Sequence, residues 1–144
     1  MRLRAVGHGR DELVGMSDYV FSGQHVMCDV VGIAADRITN NELILAALVR
    51  GIEASGAELC AVHTKEFEPT GMTAVCVLAE SHVSVHTYPD RGSLFLDAFT
   101  CGTRCVPQRI VDVVLEALGP CEHRTSVLSR GEPVRALSPA GYPT

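Results

Sequence analysis

The stretch Glu80-Ser-His-Val-Ser-Val-His-Thr-Tyr-Pro-Asp90 holds two serines, two histidines, two carboxylates and a tyrosine within eleven residues. It follows a nearly continuous apolar run at 72–79, which is typical of a central β-strand. Pro89 and Gly92 favour a tight turn, after which the segment 93–101 is predicted to return as a further strand. The centre of the chain is therefore predicted to be a set of neighbouring strands that carry reactive side chains.

The period-two alternation of a strand predicts which of these side chains share a face. In 93–101 it places four side chains together, namely Phe95, Asp97, Phe99 and Cys101. In an unbroken strand, Ser81 and His86 have opposite parity and would face opposite sides of the sheet. We therefore expect the chain to turn or bulge near residues 80–82.

Upstream of this centre, the sequence predicts a strand and then a helix. In the segment 24–33, apolar residues alternate with polar residues that include His25 and Asp29, as expected of a strand with one buried face. Asn40 is a suitable N-cap, and apolar residues then recur at helical spacing as far as Gly56, a typical helix end. This helix carries the strongest secondary-structure signal in the chain.

The remaining elements follow from similar signals. A strand is predicted at about 57–65, and the Pro and Gly of 66–71 favour a turn after it. Pro107 suits the first turn of a second helix, and Gly119 is placed to end it. A last strand is predicted at 121–130.

The order of these elements predicts an α+β fold, a two-layer α/β sandwich whose mainly antiparallel sheet has two helices on one face. Hydrophobic residues make up 47% of the chain, which suits one compact domain rather than a disordered protein. We assign it to 23–131, with a flexible leader at 1–22, in which Met16 is an alternative start, and a loose tail at 132–144. Because the second sheet face also needs cover, we expect self-association.

Composition excludes several classes of function. A net charge of −5 without a basic cluster argues against a nucleic-acid partner. No apolar run approaches the roughly 20 residues that span a bilayer, and no secretion signal follows Met1, so we expect a cytoplasmic protein without a membrane partner. The six cysteines are then expected to be reduced. Cys101 and Cys105 lack a second ligand pair at matching spacing, so we expect no metal.

From the residue pattern alone, two nucleophiles are open in the central stretch. Ser81 has a histidine beside it, but it lacks the flanking glycines of the nucleophile elbow found in many serine hydrolases. Cys101, with His82 or His86 as its base, is the alternative. A polar strand face without catalysis would show the same residues, so the pattern does not choose between these readings.

A family resemblance does choose. Glu80-Ser-His82, Val85-His-Thr-Tyr-Pro89 and Asp97-Ala-Phe-Thr-Cys-Gly102 resemble the bacterial S-adenosylmethionine decarboxylases. The upstream motifs Gly23-Gln-His25 and Phe67-Glu-Pro-Thr-Gly-Met-Thr73 fit the same family. The resemblance extends from Gly23 to Gly131. It implies a pyruvoyl enzyme that cleaves its own chain into a β chain, 1–80, and an α chain, 81–144.

The resemblance also implies a role for each residue of the processing reaction. Ser81 would attack the carbonyl of Glu80 and later become the pyruvoyl group, which forms a Schiff base with the substrate and makes pyridoxal phosphate unnecessary. His86 would accept the Ser81 α-proton, and Glu80 would become the new C-terminus. Thr73 stands where the family has a serine that assists processing. Cys101 would donate a proton during decarboxylation.

Three further residues are expected to bind the small-molecule substrate: Phe67, which would stack on adenine, Asp90 and His82. Asp90 stands where the family usually has a glutamate that holds the ribose hydroxyls. Arg91 and Ser93 replace residues that are often aromatic.

The expected activity is conversion of S-adenosylmethionine to its decarboxylated form and CO2 for polyamine synthesis, by a homodimer of processed protomers. Two alternatives remain open here: a pyruvoyl-dependent L-ornithine or L-arginine decarboxylase, and an unprocessed, non-catalytic regulatory paralogue. The changes at Asp90, Arg91 and Ser93 motivate the first alternative.

Overall fold

The computed structural model describes residues 21–131, a single antiparallel sheet of six strands with helices against one face. The predicted tail at 132–144 and all but the end of the predicted leader at 1–22 lie outside the described residues. The elements in chain order are β1 (Ser22–Val31), α1 (Ala35–Ile38), α2 (Asn41–Ser55), β2 (Leu59–Glu66), β3 (Met72–Leu78), β4 (His82–Tyr88), β5 (Ser93–Cys101), α3 (Gln108–Leu118) and β6 (Glu122–Gly131).

The strands lie in the order β2-β3-β4-β5-β1-β6, and every neighbouring pair is antiparallel. The predicted α+β sandwich with a mainly antiparallel sheet is confirmed. The single-turn helix α1 was not predicted, because four residues are too few to show a helical period.

Helix α2 forms where the sequence predicts it. The Asn40 side chain accepts a hydrogen bond of 3.0 Å from the Leu43 N–H, which satisfies one donor of the first turn. Gly56 ends the helix in the left-handed conformation, with φ of 88°. The end of the helix is therefore fixed by local backbone chemistry as well as by packing.

The core lies between the helices and one face of the sheet. Apolar residues of β1 alternate as predicted, so that Val26, Cys28 and Val30 are buried while His25 and Asp29 point to the other face. They pack with buried residues of α2 and α3, among them Leu48 and Ile110. Burying one such aliphatic side chain contributes about 1.5–3 kcal/mol. This continuous core fixes the strands that carry the reactive side chains.

The second face of the sheet is open and partly apolar. Six of its large hydrophobic side chains are between 36% and 49% exposed, namely Met27, Val31, Val75, Val77, Phe95 and Leu128. The predicted reactive residues of β4 and β5 lie on the same face. Exposed apolar surface of this extent around polar groups is typical of an interaction or ligand-binding surface.

The connection from β3 to β4 is a tight turn at 79–81. The Leu78 N–H donates to the Ser81 carbonyl oxygen over 3.0 Å, and β4 begins only at His82. The predicted break in the strand near 80–82 is thus present.

In the part of the chain that the structure describes, no helix is long and apolar enough to cross a membrane.

Candidate active site

The turn between β3 and β4 brings Glu80 and Ser81 against Cys101 at the end of β5. The Cys101 backbone N–H donates to Ser81 Oγ over 3.1 Å, and Cys101 Sγ lies 3.2 Å from the Glu80 carbonyl oxygen. Gly102, with φ of 76°, turns the chain immediately afterwards. Three residues far apart in the sequence therefore meet around one peptide bond.

This arrangement has a clear chemical capacity. Ser81 Oγ is the hydroxyl nearest in the chain to the Glu80 carbonyl, and the hydrogen bond from Cys101 N–H orients it. The Cys101 thiol can donate to the Glu80 carbonyl oxygen, where negative charge would develop if that carbonyl were attacked. A cavity of about 280 Å³ adjoins the bond and is also lined by Cys105. The site is suited to acyl transfer at the bond between 80 and 81.

A second group of predicted residues lies further along β4. His86 Nδ1 is 2.9 Å from Thr73 Oγ1, and the two residues are directly opposite each other on β4 and β3. If Nδ1–H donates to the threonine hydroxyl, Nε2 carries the lone pair that a base needs. Thr73 thus occupies the position of a residue that orients the imidazole.

The structure does not bring His86 to Ser81 within one chain. His82 and His86 are the first and fifth residues of β4, and four residues of strand correspond to about 13 Å. A general base must lie within roughly 3 Å of the proton that it removes. The expected pairing of these two residues therefore needs either a large movement or a second chain.

Phe67 and Asp90 line a cavity of about 310 Å³ together with Thr73 and His86. This cavity and the one beside Ser81 have no lining residue in common. Asp90 is exposed, and its carboxylate is 3.8 Å from the Arg91 guanidinium. Ser93 Oγ donates to the Arg91 carbonyl oxygen. Two of the three predicted substrate residues, Phe67 and Asp90, are thus grouped with His86 and not with Ser81.

The third predicted substrate residue, His82, belongs to a network that sequence reasoning missed. Asp97 accepts hydrogen bonds from His82 Nε2 over 2.9 Å, from His25 Nε2 over 2.6 Å and from the Ser84 hydroxyl. Burial raises the pKa of Asp97, but the hydrogen bonds from Ser84, His25 and His82 outweigh burial and hold that pKa below its ordinary value. The sequence signal for this network was strand alternation. His25, His82 and Asp97 each alternate with buried apolar residues in their own strands, so all three lie on the face opposite the core.

All six cysteines are unpaired. Burial raises the pKa of the thiols of Cys28, Cys76 and Cys121, which keeps these residues in the uncharged form that suits a hydrophobic environment. Cys101 differs from them by its direct contact with the Glu80 carbonyl. That contact distinguishes the one cysteine for which we predict a chemical role.

The chain is similar to known proteins over most of its length. The family model described as S-adenosylmethionine decarboxylase matches residues 24–131. An S-adenosylmethionine decarboxylase proenzyme of Brevibacillus brevis is 37% identical over 114 residues, covering 79% of this chain and 86% of the relative. A proenzyme of the same description from Methanococcus vannielii is 34% identical over 109 residues, covering 76% and 89%.

A solved structure is similar as well. The crystal structure of the adenosylmethionine decarboxylase from Aquifex aeolicus superposes with a TM-score of 0.70 at 32% identity, covering 77% of this chain and 92% of that one. The two proteins are thus similar in both sequence and fold along most of their lengths. This chain belongs to the S-adenosylmethionine decarboxylase family.

Proposed function

We propose that this chain is a self-cleaving proenzyme whose mature form decarboxylates S-adenosylmethionine, yielding CO2 and the aminopropyl donor of polyamine synthesis. The observation that carries this proposal is the contact of Ser81 and Cys101 around the Glu80 carbonyl. Family membership and the relatives' names support the substrate.

Cleavage begins with the serine. Ser81 Oγ attacks the Glu80 carbonyl carbon, the C–N bond breaks, and the amide becomes an ester with a free amine on Ser81. The Cys101 thiol stabilises the oxyanion at the Glu80 oxygen during this step. His86 then removes the Ser81 α-proton, and Glu80 leaves as a carboxylate. The remaining dehydroalanine takes up water and loses ammonia, which leaves a pyruvoyl group at position 81.

The surroundings of residue 81 fit this group. A pyruvoyl carbonyl accepts the electrons that remain when an amino acid loses CO2. The Cys101 N–H, which donates to Ser81 Oγ in the proenzyme, is placed to donate to an oxygen at residue 81 after cleavage. The Cys101 Sγ loses its partner when Glu80 departs, and is then free to deliver a proton to the substrate's α-carbon.

The active form is proposed to be a homodimer that joins the open sheet faces. The open face carries the exposed apolar residues that a partner would cover. It also carries His86, which is about 13 Å from the start of β4 and out of reach of Ser81 in its own chain. A second chain running in the opposite direction across this face would present its His86 to Ser81. The dimer therefore explains both the uncovered face and the divided site.

The same arrangement supports a proposal for the substrate cavity. Phe67 and Asp90 lie beside His86 and would reach the reaction site together with it, supplying an aromatic surface for adenine and a carboxylate for the ribose hydroxyls. The Arg91 guanidinium stands 3.8 Å from the Asp90 carboxylate. Both side chains are largely exposed, so this ion pair contributes little, and the choice of S-adenosylmethionine over ornithine or arginine rests on the family relatives.

The proposed compartment is the cytoplasm. The six unpaired cysteines, of which Cys60 is exposed, suit a reducing environment.

Intact and denaturing mass spectrometry tests the cleavage directly. The wild-type chain should give one fragment that ends at Glu80 and one that begins with pyruvoyl at 81, while Ser81→Ala should stay whole. CO2 release should then be measured from S-adenosylmethionine, ornithine and arginine in parallel. A wild-type protein that remains full length, or that releases no CO2 from S-adenosylmethionine, would refute the proposal.

A further inference from the structure

Asp97 lies at the centre of the open sheet face and accepts hydrogen bonds from three side chains. Ser84 is directly opposite it on β4, while His82 and His25 are its diagonal neighbours on β4 and β1. Both imidazoles contact the same oxygen, Oδ2, and the serine contacts Oδ1. The Asp97 side chain is only 24% exposed, so these donors replace most of its water.

The contact on the far side of the His25 ring fixes its tautomer. The Arg130 guanidinium lies 3.2 Å from His25 Nδ1, and a guanidinium can only donate hydrogen bonds. Nδ1 must therefore be the acceptor, so the proton of a neutral His25 is on Nε2 and points to Asp97. Arg130 also lies over the Phe99 ring, 5.4 Å from its centre, which holds the guanidinium in place.

This tautomer argues against the other use of the cluster, a metal site. One ligand atom from each of His25, His82 and Asp97 could in principle meet at a cation, since all three atoms lie within 4.8 Å of one another. A histidine that binds metal through Nε2 carries its proton on Nδ1 and donates it to an acceptor. Here Nδ1 faces Arg130, a cation and a donor. The arrangement instead suits an anion that orders imidazole rings.

We propose that Asp97 is a positioning residue of the decarboxylase, and that it acts through His82. This inference rests on the proposed function. Asp97 accepts one hydrogen bond from His82 Nε2–H. The second histidine that Asp97 contacts, His25, is held in turn by Arg130. His82 directly follows Ser81 in the chain, so it is the residue joined by a peptide bond to the group that replaces Ser81.

The orientation has a chemical consequence. With Nε2–H directed at Asp97, the lone pair of a neutral His82 is on Nδ1, for which the described residues provide no hydrogen-bond partner. The His82 side chain is 42% exposed, so this nitrogen is accessible to a ligand. Asp97 thereby keeps a single acceptor nitrogen on the residue next to position 81, in the way that a carboxylate selects the tautomer of a catalytic imidazole.

The test compares Asp97→Asn with Asp112→Asn. Asparagine has one acceptor oxygen where aspartate has two, so one end of its side chain presents N–H groups to a donor. Asp112 is the control, because it also accepts a side-chain hydrogen bond, from Gln108 Nε2 over 3.0 Å, but lies exposed on α3 and away from the open sheet face. Both variants should self-cleave. Asp97→Asn should lower kcat for CO2 release roughly 10- to 100-fold with little change in KM, while Asp112→Asn should match wild type.

A double-mutant cycle identifies the route of the effect. In a His82→Gln background, Asp97→Asn should lower kcat by less than about twofold further, because the residue through which it acts is gone. An equal loss in both backgrounds, or a loss no larger than that of Asp112→Asn, would overturn the proposal. So would tight Zn²⁺ binding by the wild-type protein that Asp97→Asn abolishes, since the carboxylate would then be a ligand.

A readout without activity separates this inference from the proposed function. Long-range ¹H–¹⁵N spectra of the uncleaved Ser81→Ala chain should show His25 as the Nε2–H tautomer, and adding Asp97→Asn should alter the ring signals of both His25 and His82. An Nδ1–H tautomer at His25, or unchanged rings, would overturn it. Failure of wild-type cleavage or CO2 release would instead refute the proposed function.

Discussion

Co-expression of two inactive variants tests whether a processing site is shared between chains. Ser81→Ala has no nucleophile but an intact His86, and His86→Ala has the nucleophile but no base. Within one chain, about 13 Å of strand separates His86 from the start of β4, against the roughly 3 Å that proton transfer needs. Each variant alone should therefore remain whole, whereas a mixed dimer should contain one complete site.

The expected yield follows from random pairing. With equal expression, about half of the His86→Ala chains would lie in mixed dimers, so about half of them should be cleaved, and no Ser81→Ala chain should be. Denaturing mass spectrometry distinguishes the products, because only the His86→Ala chain can release a fragment that begins at 81, and that fragment has the lower mass of the substituted chain. Loss of a general base lowers a rate by about 10²–10⁴, so cleavage in homodimers should be negligible on the same timescale.

Native mass spectrometry of the same sample supplies the control, since it shows whether mixed dimers have formed. Mixed dimers without cleavage would refute the shared site. Cleavage of His86→Ala alone at the wild-type rate would remove His86 from the reaction altogether.

Four further outcomes are expected. Cys101→Ala should still yield some cleaved chain but release CO2 about 10²–10⁴ times more slowly, measured as kcat on the cleaved fraction; an unchanged kcat would exclude the thiol as the proton donor. Phe67→Ala should raise KM for S-adenosylmethionine more than it lowers kcat, because it removes stacking surface; equal KM values would place adenine elsewhere. Asp97 has a folded-state pKa below its unfolded value, so its stabilisation is complete above about pH 5 and lost as pH falls through the folded-state pKa. Urea unfolding of Asp97→Asn should therefore differ from wild type at pH 7 and converge towards it in acid; a constant difference would contradict the linkage. Leu48→Ala, at a fully buried site, should lower the free energy of unfolding by about 2–5 kcal/mol, against little change for Val127→Ala, whose side chain is 56% exposed and lies off the open face; similar losses would contradict the assigned core.

Much of the fold could be predicted because its determinants are local. The Asn40 cap, the αL glycine at 56 and the alternation in β1 and β5 each depend on a few neighbouring residues. The strand order could not be predicted in the same way. In the sheet β1 lies between β5 and β6, and both of these strands are distant from β1 in sequence. Tertiary pairing of this kind leaves no local periodic signal.

The candidate active site likewise has features that local sequence predicts and features that depend on tertiary pairing. Parity indicated that the chain must turn before β4, and the turn at 79–81 is present. Parity could not show that Cys101 reaches the Glu80 carbonyl, because that contact depends on the β4–β5 register. The separation of His86 from Ser81 follows once β4 is seen to run unbroken from His82 to Tyr88, but family motifs assign roles without stating which chain supplies each residue.

The turn at 79–81 also determines what happens to the sheet once its peptide bond is gone. The amino-terminal fragment would keep β1, β2 and β3, while the carboxy-terminal fragment would keep β4, β5 and β6. In the sheet these strands are interleaved, because β1 is inserted between β5 and β6. Three of the five strand pairings, β3–β4, β5–β1 and β1–β6, would then join the two fragments. The mature protein would thus be a pair of mutually dependent polypeptides, neither of which can be withdrawn without dismantling the other's hydrogen-bond ladder. The proposed cleavage at this turn would create a reactive chain end while leaving every strand pairing intact.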